Sequence, residues 1–143
     1  MDEVSQPLGE QLGTMTLHPR ADSVSTARRW FRKLIAPYPL ARSLDDCVLL
    51  LSELVTNALL HGDVGTEDRI RVEWHREGTA LRVCVHNPGP PPQAVRLRHP
   101  RPDQPHGRGL LLVSALADSW DTAPSPFGGT AVCFTLADAL PAP

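Results

Sequence analysis

Glu53, Asn57 and His61 stand four residues apart in the stretch LSELVTNALLHG (51–62), whose other members are mostly Leu, Val and Ala. On a helix, that spacing strings the three along one line. A carboxylate and an amide one turn apart have a definite chemical use. The Asn57 carbonyl oxygen can serve a hard cation such as Mg²⁺, which keeps several waters and takes few protein ligands beside phosphate oxygens. Glu53 can accept a proton from a water or hydroxyl attacking a γ-phosphate. The alternative is a helix-surface glutamate beside an internally satisfied asparagine. His61 ends the line, either touching a phosphate or the segment above it, or serving as an ordinary helix-terminal histidine.

A second feature points the same way. Gly107, Arg108 and Gly109 precede an apolar stretch, LLLVSALADSW, that reads as a helix. Glycines let a backbone approach a ligand closely, and a helix start offers free N–H groups and the positive end of the dipole, which together favour phosphate. Residues 87–106, NPGPPPQAVRLRHPRPDQPH, contain seven prolines. No helix or central strand survives that density. Arg96, Arg98 and Arg101 outnumber Asp103 there, so the segment reads as a basic lid over a polyphosphate, or else as a solvated basic loop. His86, His99 and His106 flank the lid without metal-ligand spacing and read as loop or rim residues.

These groups need a scaffold. A helix over about 44–61, with Ser43 as N-cap and Gly62 after its end, puts Leu44, Val48, Leu51, Val55, Ala58 and Leu59 on one face. The polar line lies opposite, edged by Leu49, Leu50 and Leu60, and so reads as a pocket floor. An earlier helix, capped by Asp22 or Ser23 and running to Ile35, shows Ala27, Trp30, Phe31 and Leu34 on one face. RIRVEWH (69–75) and ALRVCVH (80–86) alternate as strands of an antiparallel hairpin. Residues 11–18 read as an edge strand, GTAVCFTL (129–136) as a closing strand, and a short strand is expected around Trp120.

Length and composition fit one globular domain: 143 residues, 41% hydrophobic, net charge −2. That charge gives no general pull toward nucleic acid or an acidic membrane. No apolar run approaches the roughly 18–20 residues of a membrane span. The acidic N-terminus lacks the apolar core of a signal peptide. Cys47, Cys84 and Cys133 form no CxxC pair and read as buried free thiols, which suits a reducing cytoplasm. The expected organisation is a disordered N-terminus over 1–10, one domain over 11–137 with a lid at about 88–106, and a tail over 138–143.

The order of these motifs resembles the GHKL ATPase/kinase superfamily, and within it most closely the small bacterial anti-sigma-factor serine/threonine kinases. The resemblance covers roughly residues 12–137. It implies the Bergerat ATP-binding fold: an α+β two-layer sandwich, its mixed, mostly antiparallel sheet covered by helices on one face. ELVTNALLH matches the N-box, implying Glu53 as catalytic base and Asn57 as Mg²⁺ ligand. Gly107, Arg108, Gly109 and Leu110 match the second glycine box, implying phosphate contacts. Gly129 and Thr130 match a late Gly–Thr near the adenine. The first glycine box normally reads Asp-x-Gly-x-Gly, its Asp accepting from the adenine amino group. Here Asn87 replaces Asp, Gly89 is retained and Pro91 replaces the last Gly. Asn87 can still accept that hydrogen bond but lacks the charge that strengthens it. The resemblance further implies ATP and Mg²⁺ as cofactors, an anti-anti-sigma-type protein and a sigma factor as partners, and a possible homodimer. Direct binding to nucleic acid or membrane is not expected. A non-catalytic module that sequesters its partner is the alternative.

Overall fold

The computed structural model describes residues 9–61, 65, 67–88 and 115–143, and of His61 only the backbone. Within them the chain forms β1 (Glu10–Leu17), α1 (Ser23–Ile35), α2 (Leu44–His61), β2 (Ile70–Glu77), β3 (Ala80–Asn87), β4 (Ser119–Pro124) and β5 (Thr130–Leu136). The strands make one sheet in the order β1-β2-β3-β5-β4, and every described pairing is antiparallel. The result is the expected α+β arrangement, with β1 and β4 at the sheet edges.

Strand alternation sorts the sheet into two faces. Ile70, Val72 and Trp74 of β2, Leu81, Val83 and Val85 of β3, and Val132, Phe134 and Leu136 of β5 all point one way and are buried. Onto them pack α1, through Ala27, Phe31 and Ile35, and α2, through Cys47, Leu50, Leu51, Leu54 and Val55. Phe31 meets Trp74 edge to face, ring centres 5.0 Å apart. Such a contact is worth about 1 kcal/mol beyond the area buried. A glycine is required across from this ring, since a Cβ at Gly13 would run into the Trp74 indole. β1 also carries an irregularity between Gln11 and Gly13.

The inward face of α1 differs from the one the periodicity suggests. Its buried line is Ser23, Ala27, Phe31 and Ile35, while Trp30 and Leu34 stand 43% and 36% exposed. A straight four-residue step puts these two on the flank, and α1 is seated by the line that faces both β1 and α2. Asp22 precedes the helix without a side-chain cap. The Ser23 hydroxyl instead ties the preceding turn, bonding the His18 carbonyl and accepting from the Arg20 amide. Ser43 does cap α2, accepting from the Asp46 amide at 3.2 Å. Gly78, at φ 63°, opens the two-residue turn between β2 and β3, a conformation glycine adopts without a Cβ penalty.

The cysteines depart from expectation. Cys47 is a buried free thiol in α2, but Cys84 and Cys133 are joined in a disulfide. Both lie on the outer face of the sheet, directly opposite one another in the β3–β5 ladder. Two strand cysteines far apart in sequence become neighbours only through that register.

Candidate functional site

Of the expected site residues, Glu53, Asn57, Asn87 and Thr130 are described, while Gly89, Gly107, Arg108, Gly109 and Leu110 lie outside the described residues, as does the lid beyond Pro88. The first two ride on α2. Each four-residue step turns a side chain by about 40°, so the line starting at Glu53 winds from the outer side of the helix toward the sheet. Glu53 and Asn57 are both half-buried, between buried Leu50 and Leu54 on one side and exposed Leu49 and Leu60 on the other. The polar line is therefore edged with leucine as expected, though only one edge belongs to the core.

Partial burial pushes the Glu53 carboxyl above its usual pKa, and the Arg28 guanidinium works against that rise. Arg28 comes from α1 and donates to the Ser52 hydroxyl at 2.7 Å. Ser52 in turn donates to the Val48 carbonyl at 2.7 Å. Arg28 carries no motif signal. Its placement next to the carboxylate follows from α1 packing on α2, where its position on the α2-facing flank was the only available hint. A carboxylate whose pKa is raised in this way is a stronger proton acceptor than a solvated one.

Asn87 and Thr130 meet as partners in the β3–β5 ladder. Alternation turns them to the same face as Val85 and Val132, the face on which α2 packs. Both are nearly fully buried, Asn87 4% and Thr130 0% exposed, so each presents a fixed polar group. Gly129 closes this corner at φ 76°, and a Cβ there would collide with the Asn87 carbonyl and the Pro88 backbone. The fold thus brings the two residues expected at the adenine together, at the strand end from which the lid segment departs.

The open face corrects one expectation: His86 is a buried strand residue, 6% exposed, rather than a loop or rim residue. Its Nε2 faces Glu73 Oε1 at 3.1 Å and its Nδ1 faces Ser125 Oγ at 2.8 Å. Burial, the largest influence, together with the Arg71 and His75 charges holds its pKa below the ordinary value against the raising effect of Glu73. The neutral ring therefore donates from Nε2 to Glu73 and accepts at Nδ1 from Ser125. Phe127 lies edge-on to His86, with the Arg71 guanidinium 4.3 Å from its ring centre. A cavity of about 340 Å³ opens here, lined by Thr16, Arg71, His86, Phe127 and the Asn87–Pro88 corner among others. Neither Glu53 nor Asn57 reaches it.

A hard cation such as Mg²⁺ needs few protein ligands beside phosphate and water, and the half-buried Asn57 amide would offer it one oxygen. Among the described residues, no three His, Cys, Asp or Glu side chains gather into a metal cage. Nor is any described helix long and apolar enough to cross a membrane. No curated protein matches the chain. A family model, that of the histidine kinase-like ATPase domain, matches residues 17–136.

Proposed function

Because the chain belongs to the histidine kinase-like ATPase domain family, an ATP-binding regulatory family, we propose that it is a serine/threonine kinase of anti-sigma-factor type. Its substrate would be a hydroxyl on an anti-anti-sigma-type protein, and a sigma factor would be the partner it sequesters. Glu53 carries the reading: a half-buried carboxylate with a raised pKa, one helical turn from Asn57. It accepts the proton of the attacking hydroxyl. Asn57 would hold Mg²⁺, which would offset charge developing on the phosphates. Asn87 and Thr130 receive the adenine edge. The backbone amides at 107–110 and the lid arginines are assigned to the phosphates from the glycine-led helix start, the basic charge of the segment and the resemblance. A second copy of the chain is a further candidate partner, and the cytoplasm the expected compartment.

Asn87 favours a second reading. Where the family pattern has Asp, a neutral amide gives a weaker hydrogen bond to the adenine amino group. The fold would then act by partner sequestration, with weak nucleotide binding and no phosphotransfer. Calorimetric titration with Mg²⁺–ATP, followed by labelled-phosphate transfer to candidate partners, separates the two. Transfer that disappears in Glu53→Ala supports the kinase. Partner binding indifferent to ATP and to that substitution supports the module.

A further inference from the structure

We propose that Cys84 and Cys133 are a thiol–disulfide exchange site, taking a dithiol as co-substrate, whose state sets how firmly β3 and β5 hold Asn87 beside Thr130. The two cysteines are direct ladder partners with Cα atoms 4.1 Å apart. They are the middle pair of the run from Leu81↔Leu136 to Asn87↔Thr130, so the Asn87–Thr130 pair lies three positions away on the same two strands. The bond spans a sequence separation of 49, and the loop it closes includes β4, the turn at 125–129 and all of the lid and GRGL segments. One covalent link thus ties β3 to β5 three positions from the Asn87–Thr130 pair.

The place of the pair also makes exchange feasible. It lies on the face away from the core, in a small cluster with Ala131 alone. Its neighbours along that face are the pairs Arg82↔Thr135 and His86↔Ala131. Both cysteines are buried, Cys84 at 8% and Cys133 at 3% exposed, and the attack is assigned to Cys84 as the less covered of the two. Cys47 takes no part: it sits in the core, where burial pushes its thiol up to about 11.

In the exchange, one thiolate of the dithiol attacks Cys84 Sγ, the Cys84–Cys133 bond breaks, and Cys133 leaves with the electron pair and is protonated. The second thiolate of the dithiol then attacks its own sulfur in the mixed disulfide and releases Cys84. Two electrons and two protons pass to the protein, and the dithiol becomes a disulfide; an oxidised dithiol reverses the sequence. The ladder hydrogen bonds survive reduction, but fraying from the Asn87–Thr130 end is no longer stopped at the middle pair.

The test uses the full chain, equilibrated across dithiothreitol ratios and trapped by alkylation, with mass spectrometry to count modified cysteines. Hydrogen exchange of peptides spanning 85–87 and 130–132 is then compared between the two states. Expected are reversible labelling of Cys84 and Cys133, with Cys47 protected until unfolding, and at least fivefold faster exchange in the reduced form. The double variant C84S/C133S should match the reduced protein, and Cys47→Ala should leave both states unchanged. Failure of the native protein to form the bond under oxidising ratios overturns the inference. So does exchange that stays within twofold between the states. Any change in Mg²⁺–ATP affinity rests on the proposed function. If nucleotide fails to bind in either state, that reading falls, while hydrogen exchange still decides this one.

Discussion

Arg28 of α1 hydrogen-bonds Ser52 of α2 at 2.7 Å, which sets a guanidinium next to Glu53, the following residue on that helix. Burial and this charge oppose one another in setting the Glu53 pKa, and burial prevails. Removing the charge should let burial act alone. In Arg28→Ala the Glu53 carboxyl should titrate at higher pH than in the parent, as read by carbon NMR of the side chain. The acidic limb of any phosphotransfer profile should move the same way. An unshifted or lowered titration would show that Arg28 does not act on Glu53.

The sign for stability follows from the same shift. With its folded pKa above the ordinary value, Glu53 holds its proton more tightly in the folded chain. Its contribution favours folding at low pH and is lost as pH rises through the raised value. The ionised form of the carboxylate is therefore a burden on the fold. Glu53→Gln should unfold at a urea concentration no lower than the parent at pH 7. Phosphotransfer should fall about 10²–10⁴-fold, the usual weight of a general base. A clearly destabilised variant would mean that Glu53 is kept for structure.

His86 gives the opposite dependence. Burial holds its folded pKa below the ordinary 6.5, so the unfolded chain takes up the proton first. Stability present above pH 6.5 should drain away as the pH falls through and below that value. Melting temperature measured from pH 7.5 down to 5 should decline, and His86→Gln should flatten the decline while lowering the starting value. A parent melting temperature that rises on acidification would contradict the neutral, doubly bonded ring.

Asn87→Asp tests the adenine assignment. A carboxylate at a position 4% exposed costs stability in the empty protein. The charge-assisted bond it would offer should tighten Mg²⁺–ATP binding by about tenfold, or roughly 1.4 kcal/mol. Calorimetry and urea unfolding on the same preparation read both effects. Unchanged affinity would remove Asn87 from the nucleotide contacts.

Gly129→Ala should cost about 1–3 kcal/mol, since φ 76° and the close Asn87–Pro88 backbone both exclude a Cβ. A loss below 0.5 kcal/mol in denaturant would mean the corner relaxes freely.

Much of the scaffold is local and was legible for that reason. Ser43 before an apolar run, the period of Val48, Leu51 and Val55, and the alternation of Ile70, Val72 and Trp74 each depend on residues within a few positions of one another. The motif carrying Glu53 and Asn57 is local in the same sense, as one helix sets their spacing. The polarity of α1 misled because Trp30 and Leu34 fit an apolar face as well as Ile35 does, and only the docking direction on β1 and α2 chooses between them. Amphipathicity defines an arc, and packing decides where on that arc the helix rests.

By itself, the sequence determined the described strands and helices, their order and the chemical types gathered along α2, since short-range sterics and periodicity specify these, while the helix expected after Gly109 begins outside the described residues. Only the tertiary structure decided that Cys84 meets Cys133, that Asn87 meets Thr130, that His86 is buried between Glu73 and Ser125, and that Arg28 faces Glu53. Each of these contacts joins residues from different elements or distant strands. Their distances depend on sheet register and helix docking, which are set by the packing of the whole core rather than by any neighbouring residue.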